Sequence, residues 1–378
     1  MAIVTKDQVL TALSKVEDPE IHRPITELDM VDEVVISDPG NVAVTILLTV
    51  SGCPMRGPIE KAVTEAIGAI PGVTDVAVTL SVMSEEQRAA LKEKLRGPSK
   101  EIPFNRPGNT TKIFAIASGK GGVGKSSLTV NLAVALALTG NRVGLLDADI
   151  YGHSVPRMLG INRPPTAVDG MILPPEANGV RAISMLPFKP GGTAEPVAFR
   201  GPMLHRALEQ FLSDVYWSDL DILLLDLPPG TGDVAISTAQ LLPQAELIVV
   251  TTPQLAAAEV AVRAGMLAQQ TKQRLAGVIE NMGAFGCPHC GEPVDVFGQG
   301  GGRLVAENLS KALGTDVPLL GSVPFDVKLR EGADAGQPLV VSDPGRPASE
   351  AITSIAAGLS AKKRGLVGMN LAVSPVGR

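Results

Sequence analysis

Gly119-Lys120-Gly121-Gly122-Val123-Gly124-Lys125-Ser126-Ser127 is the stretch on which the fold turns. An apolar run, Ile113 to Ala117, precedes it and reads as a buried strand; the pattern from Ser127 to Thr139, halted by Gly140, reads as a helix. Strand, glycine loop and helix is the layout of a phosphate cradle. Closely spaced glycines let backbone N–H groups turn inward on a polyphosphate, and the helix N-terminus adds the positive end of its dipole. In such a loop Lys125 reaches the β- and γ-phosphates of a nucleoside triphosphate and the Ser126 hydroxyl ligates Mg²⁺. The competing reading is a glycine-rich turn without a ligand, which the flanking strand and helix disfavour. A second lysine, Lys120, opens the loop. It is badly placed for its own chain's phosphates and well placed to reach a nucleotide in a facing subunit.

With 378 residues the chain suggests two domains, or one large domain with an appendage. Hydrophobic residues at 45% and charged residues at 19% indicate a packed globular protein, and no apolar run approaches the length of a bilayer span. Met1 to Leu10 carries acidic and polar residues where a secretion signal needs an apolar segment, so a cytoplasmic location is expected. A net charge of -6 argues against nucleic acid as the main partner, and no membrane partner is expected either. Three cysteines suit a reducing compartment, where a pair signals metal or redox chemistry more often than a disulfide.

Ahead of the loop, Thr5 to Val16 reads as a helix, with Thr5 and Gln8 at capping-box spacing, ending at Asp18-Pro19. Two strand-like runs, Val31 to Ser37 and Val42 to Val50, flank a turn of hairpin composition, Asp38-Pro39-Gly40-Asn41. Ser51-Gly52-Cys53-Pro54-Met55 opens a helix from Pro58 to Ala69; a strand, Val73 to Val82, and a helix, Ser84 to Leu95, complete a small α+β domain over residues 1–96. Cys53 at a helix N-terminus is either a reactive or metal-binding thiolate with a depressed pKa or a small buried apolar residue. Residues 97–111, rich in Pro, Gly and polar residues, read as a linker.

Residues 112–360 read as the second domain. Strand-like runs recur at Val143 to Leu146, Ile222 to Leu225, Leu247 to Val250, Gly277 to Ile279 and Leu319 to Val323. Continuous apolar strands separated by helices indicate an α/β fold with a mainly parallel, doubly wound sheet covered on both faces. Ligands of such sheets bind beyond the carboxyl ends of the strands. Two acidic motifs fall there. In Asp147-Ala148-Asp149-Ile150-Tyr151-Gly152, Asp149 suits positioning of an attacking water and Asp147 suits outer-shell support of Mg²⁺, against a plain capping role. In Asp226-Leu227-Pro228-Pro229-Gly230-Thr231-Gly232-Asp233, an Asp ending a buried strand joins the Mg²⁺ shell, and the Pro-Gly segment behind it can respond to loss of the γ-phosphate.

Cys287 and Cys290 lie in a stretch, Gly283 to Gly302, full of Gly and Pro. Two thiolates at this spacing bind one metal or cluster, and four sulfur ligands then require a second copy of the chain. A symmetric dimer could hold one 4Fe-4S cluster between its subunits; a zinc knuckle and a redox dithiol are the rivals. Spacing alone does not choose iron over zinc. The tail, residues 361–378, is broken by Gly365, Gly368 and Pro375 and reads as flexible.

Several of these motifs resemble known families. Asp18-Pro19-Glu20, Gly52-Cys53-Pro54 and Pro71-Gly72-Val73 resemble the small domain of cytoplasmic iron-sulfur assembly factors. The lysine-led phosphate loop, Asp147-Ala148-Asp149 with Gly152, and the Pro-Pro-Gly-Thr-Gly-Asp motif are similar to the deviant Walker A ATPases of the MinD/ParA class. Within that class, Asn281-Met282-Gly283 and Cys287-Pro288-His289-Cys290 resemble the Mrp-type iron-sulfur cluster carriers. The likeness runs from Thr5 to about Leu359. It implies a homodimeric ATPase that carries a cluster to apo-proteins and works with scaffold proteins. In that reading the loop from Gly119 to Ser127 holds the nucleotide, Lys120 crosses the dimer, Asn281 contacts adenine, and the loop after Val323-Pro324 borders the base. The alternatives are a spatial-regulator ATPase acting on DNA or membrane, which leaves the cysteine pair without purpose, and a zinc-containing assembly chaperone.

Overall fold

The computed structural model describes residues 4–37, 40–50, 53–96, 101–149, 152, 154–184, 201–287 and 289–360. The expectations for the turn at 38–39, for Pro288 and for the tail at 361–378 lie outside them.

The N-terminal unit runs α1 (Lys6–Leu13), β1 (Val31–Ser37), β2 (Asn41–Leu48), α2 (Arg56–Gly68), β3 (Asp75–Val82) and α3 (Glu85–Arg96). Thr5 and Gln8 form a reciprocal capping box, satisfying two N–H groups that the first turn of α1 leaves unpaired. The helix stops at Leu13, short of Val16, because the chain turns back to pair Glu17 with Pro24. β1 and β2 are antiparallel, whereas β3 joins β2 in parallel through the α2 crossover. Alternate residues Val42, Val44 and Ile46 point into a core shared with Ile59, Val63 and Ile67 of α2. The four-residue spacing of α2 and the two-residue spacing of β2 make one apolar layer.

Residues 97–111 read by composition as a linker. Part of them is folded: Pro103–Asn105 form a 3₁₀ turn, and Phe104, 5% exposed, packs against Trp217 with ring centroids 6.4 Å apart. One aromatic residue among Pro, Gly and polar neighbours has no period to reveal it.

The second unit contains β4 (Lys112–Ser118), α4 (Lys125–Leu138), β5 (Val143–Asp147), α5 (Val155–Leu159), β6 (Thr166–Val168), β7 (Met171–Leu173), β8 (Glu176–Ala177), β9 (Val180–Ile183), α6 (Gly201–Asp214), β10 (Ile222–Asp226), α7 (Asp233–Leu241), β11 (Glu246–Thr251) and α8 (Leu255–Thr271). There follow β12 (Leu275–Gly283), β13 (Phe285–Gly286), β14 (Pro293–Val294), α9 (Gly301–Leu313), β15 (Leu319–Pro324), α10 (Val327–Ala335), α11 (Leu339–Ser342) and α12 (Pro347–Leu359). The large sheet has the order β15-β12-β11-β4-β10-β5-β9-β8, parallel throughout except for the β8–β9 edge. Both faces are covered. Ile113, Ala115 and Ala117 of β4 face the layer holding α6 to α9, whereas Phe114 and Ile116 face the layer holding α4, α5, α11 and α12. Burial on both sides is what makes these strands apolar at every position.

β9 did not register as a strand because Arg181 interrupts its apolar residues. That side chain, 9% exposed, is satisfied by tertiary contacts: Nη1 donates to the Trp217 carbonyl at 3.2 Å and the guanidinium pairs with Glu176 at 3.4 Å. The β6–β7 hairpin is covered by the N-terminal unit. Val168, Met171, Leu173 and Tyr216 belong to the same apolar cluster as Ile21, Ile25 and Ile46. Around that seam Glu20, 5% exposed, accepts from Arg163 Nη1 at 2.7 Å and Thr166 Oγ1 at 3.0 Å, and His22 Nε2 lies 3.0 Å from Glu176. No described helix is long and apolar enough to cross a membrane.

Candidate functional site

β4 stops at Ser118 because the loop that follows demands conformations open to glycine. Gly122 and Gly124 have φ of +78° and +76°. A Cβ on Gly124 would stand 2.3 Å from Asn281 Nδ2, and one on Gly119 would stand 2.4 Å from the backbone of Val260 in α8. A Cβ on Gly121 or Gly122 would meet no atom closer than 4.0 Å, so this side of the loop is open space. The loop and the N-terminus of α4 enclose a cleft of about 230 Å³, whose far wall is Asp149, Ser154, Met158 and Pro229. A cradle of glycine N–H groups at a helix N-terminus fits a polyphosphate.

Behind the cleft, bonded to its lining residues Lys125 and Ser126, lies Asp226, fully buried at the end of β10. Its Oδ1 accepts from Lys125 Nζ at 2.7 Å and Thr129 Oγ1 at 3.0 Å, and its Oδ2 from Ser126 Oγ at 2.5 Å. The parallel register of β10 with β4 and β5 puts this carboxylate level with the loop and opposite Asp147. Asp147, 1% exposed, takes the Val155 N–H at 3.3 Å on one oxygen, and its other oxygen has no partner. Burial first, then the neighbouring charge of Asp226, pushes its pKa well above the usual carboxylate range. Asp149 is half-buried at the cleft wall and accepts the Gly152 N–H at 3.0 Å. The Ser126 hydroxyl and the carboxylate of Asp226, with the orphaned oxygen of Asp147 behind them, are hard oxygen donors of the kind Mg²⁺ takes. The Pro-Gly segment is tied back to the loop's strand, since Gly230 N–H donates to the Ser118 carbonyl at 2.8 Å.

Lys120 is half-buried, and its Nζ donates to Gln254 Oε1 at 3.1 Å at the start of α8. Asn281, 3% exposed, donates through Nδ2 to the Val123 carbonyl at 2.8 Å, so β12 touches the phosphate loop directly. Pro324 ends β15 opposite Gly283.

Six residues beyond Asn281 comes Cys287. The stretch from Gly283 to Gly302 is more ordered than its composition suggested: β13 and β14 form a short antiparallel hairpin and Gly301 opens α9. At the tip, Cys287 N–H donates to the Glu292 carbonyl at 2.9 Å, and the Cys287 carbonyl accepts the Gly291 N–H at 2.8 Å. Cys287 is half-buried and Cys290 exposed, and both are free thiols. The backbone N–H groups of His289 and Cys290, then the Cys290 thiol, pull the Cys287 pKa below 9.0. Among the described residues no third Cys, His, Asp or Glu joins them in a metal-sized cluster. Cys53 is a different case. It is 9% exposed, and burial raises its pKa above 9.0, with Glu20 and Asp18 adding to the effect. Of the two readings of Cys53, the small buried apolar residue is the one that fits: α2 begins three residues later, at Arg56, and the surrounding apolar cluster disfavours the thiolate.

Two contributors escaped the sequence reading. Thr129 lies one helical turn after Lys125, and that spacing was the signal that could have found it. Glu280, 7% exposed, accepts from Gly302 N–H at 2.7 Å and Ser322 Oγ at 2.8 Å, tying β12 to the start of α9 and to β15; nothing in the sequence marks it.

A doubly wound sheet with a glycine cradle, a loop lysine and a strand-end aspartate defines a P-loop NTPase. A solved nucleotide-binding protein from Archaeoglobus fulgidus, in complex with ADP, is 34% identical to the chain, with a TM-score of 0.51 over 63% of this chain and 91% of that one. The family model for the NUBPL iron-transfer P-loop NTPase matches residues 109–360, and that for an iron-sulfur cluster assembly protein matches residues 6–80. The chain belongs to this family of iron-transfer P-loop NTPases. It is similar to the iron-sulfur cluster carrier protein of Mycobacterium tuberculosis, 57% identical over 98% of this chain and 97% of that one. It is also similar to that of Deinococcus radiodurans, 43% identical over 93% of each.

Proposed function

We propose that the chain hydrolyses ATP, holds a 4Fe-4S cluster between two copies of itself, and hands the cluster to apo-proteins. The observation that carries this is the thiol pair: Cys287 and Cys290 at a hairpin tip, accessible and without further ligands among the described residues, six positions from a side chain that touches the phosphate loop. Two thiolates per chain make half of a four-sulfur set, which a two-fold axis completes. Exposure suits a cluster that must leave.

On the nucleotide side, the glycine N–H groups from Gly119 to Gly124 orient the phosphates, with Ser127 at the mouth of α4. Lys125 stabilises charge on the β- and γ-phosphates, and Asp149 positions the attacking water. Ser126, with Asp226 and Asp147 in the outer shell, would hold Mg²⁺, which when bound offsets phosphate charge. Lys120 of one copy reaches the nucleotide of the other, and Asn281 and Pro324 border the base. The chain works in the cytoplasm, with scaffold proteins as donors and apo-proteins as acceptors.

The test is the iron and acid-labile sulfide content of the anaerobically reconstituted chain beside a Cys287→Ala, Cys290→Ala double variant. About two iron and two sulfide per chain, lost in the variant, is expected for one cluster per dimer. Zinc in place of iron, or iron that ignores the variant, refutes the carrier.

A further inference from the structure

We infer that Phe325 is the positioning residue that sets where the cysteine hairpin stands relative to the phosphate loop, an inference that rests on the carrier reading above. Its ring lies between two others. Phe285, which opens the hairpin, is 5.8 Å away at 66°, and Phe297, just beyond the second leg, is 5.6 Å away at 62°. Both are edge-to-face contacts, whose geometry is directional where plain apolar contact is not. Phe285 and Phe297 bracket the segment that carries both cysteines, so a single ring grips that segment at both ends. The far leg is tied to the first by the β13–β14 backbone pairing, but its own apolar side chains Val294 and Val296 are 47% and 54% exposed, so Phe297 is the side chain that ties this leg to Phe325.

The ring itself stands on a rigid base. Phe325 N–H donates to the Gly283 carbonyl at 3.2 Å. The next residue, Asp326, accepts the Lys328 N–H at 2.8 Å and both arms of the Arg346 guanidinium, at 2.7 and 3.0 Å. From the other direction, Asn281 holds the Val123 carbonyl of the phosphate loop, and β12 then slips register between Asn281 and Gly283. Met282, between them, has a φ of +61°, which a side chain of that size adopts only under constraint. The hairpin is thus joined to the phosphate loop by a constrained backbone link of six residues and to β15 by the aromatic trio. A shift of the Val123 carbonyl on exchange of nucleotide reaches Cys287 through the first. The trio converts it into a defined movement of the thiols; with the backbone link alone the hairpin tip follows loosely.

The experiment uses the full chain, reduced and metal-free, at saturating ADP or a non-hydrolysable ATP analogue, with saturation checked by calorimetry. The rate of alkylation of Cys287 and Cys290 by iodoacetamide is read by mass spectrometry. Wild type should differ about fivefold or more between the two nucleotides. Phe325→Ala and Phe297→Ala should each bring the difference below about twofold, and Phe325→Tyr should restore it. Buried Cys53 reports folding in the same samples. If Phe325→Ala exposes Cys53, the decision passes to Phe297→Ala, which removes one ring contact. A difference that persists undiminished in a folded variant overturns the inference, as does a wild-type rate indifferent to nucleotide. Neither result touches the iron and sulfide content, which judges the carrier reading by itself.

Discussion

Replacing Lys125 by Ala should separate the structural from the chemical work of the cleft. The Lys125 side chain is 6% exposed and that of Asp226 1%, with 2.7 Å between their charged atoms. Removing one member of a buried pair costs about 3–5 kcal/mol, because the other charge is stranded. Here the hydroxyls of Ser126 and Thr129 remain on the carboxylate, which puts the expected loss at the lower end, about 3 kcal/mol. In a domain of this size that lowers the melting temperature by about 6–12 °C. Adding Asp226→Asn removes the stranded charge, so the double variant should regain about 2 kcal/mol while remaining unable to release phosphate from ATP. Urea midpoints and phosphate release on wild type, both single variants and the double variant make the comparison. A Lys125→Ala chain as stable as wild type, or a double variant no more stable than that single one, would show that the pair does not carry the energy assigned to it. Wild-type turnover in Lys125→Ala would remove the lysine from the chemistry.

Asp147 supplies a pH prediction. Its carboxyl, held well above 3.8 in the folded chain, ionises near 3.8 in the unfolded one. Above that pH the unfolded state releases a proton that the folded state keeps, so stability declines as pH rises towards the folded pKa. Asp147→Asn should flatten that decline, and calorimetric melting of both proteins at about pH 5 and pH 8 checks it; parallel declines would place the cause elsewhere. Arg163→Ala should loosen the seam between the two units. It leaves the buried carboxylate of Glu20 with the Thr166 hydroxyl as its one side-chain donor among the described residues, so hydrogen exchange at the Glu20 and Ile21 amides, now bonded to Asp18 at 2.8 and 2.9 Å, should quicken about 30-fold or more. Unchanged exchange would mean that the ion pair does not hold the seam.

Most of the central sheet was legible because its strands are buried on both faces and so stay apolar along their whole length. What escaped were segments whose character comes from contacts distant in sequence. β9 contains an arginine whose charge is met by Trp217 and Glu176, and Phe104 looked like part of a polar linker until Trp217 closed on it. Cys53 illustrates the limit at a single residue. Its place before a helix leaves an activated thiolate and a small buried apolar residue both open, and the apolar cluster around it, with carboxylates nearby, favours the second.

From sequence alone came the phosphate cradle, the two acidic motifs at strand ends and the spacing of the thiol pair. Each depends on a handful of consecutive residues whose geometry local chemistry dictates: glycine for positive φ, an aspartate at the end of an apolar run, two cysteines within reach of one metal. Only tertiary structure decided that Asn281 would touch the loop, that Phe325 would stand between the two legs of the cysteine segment, and that the N-terminal unit would close over the β6–β7 hairpin through Glu20 and Arg163. These contacts join residues from about 30 to nearly 160 positions apart. Parallel register and apolar burial bring them together, and neither leaves a mark on the residues it pairs.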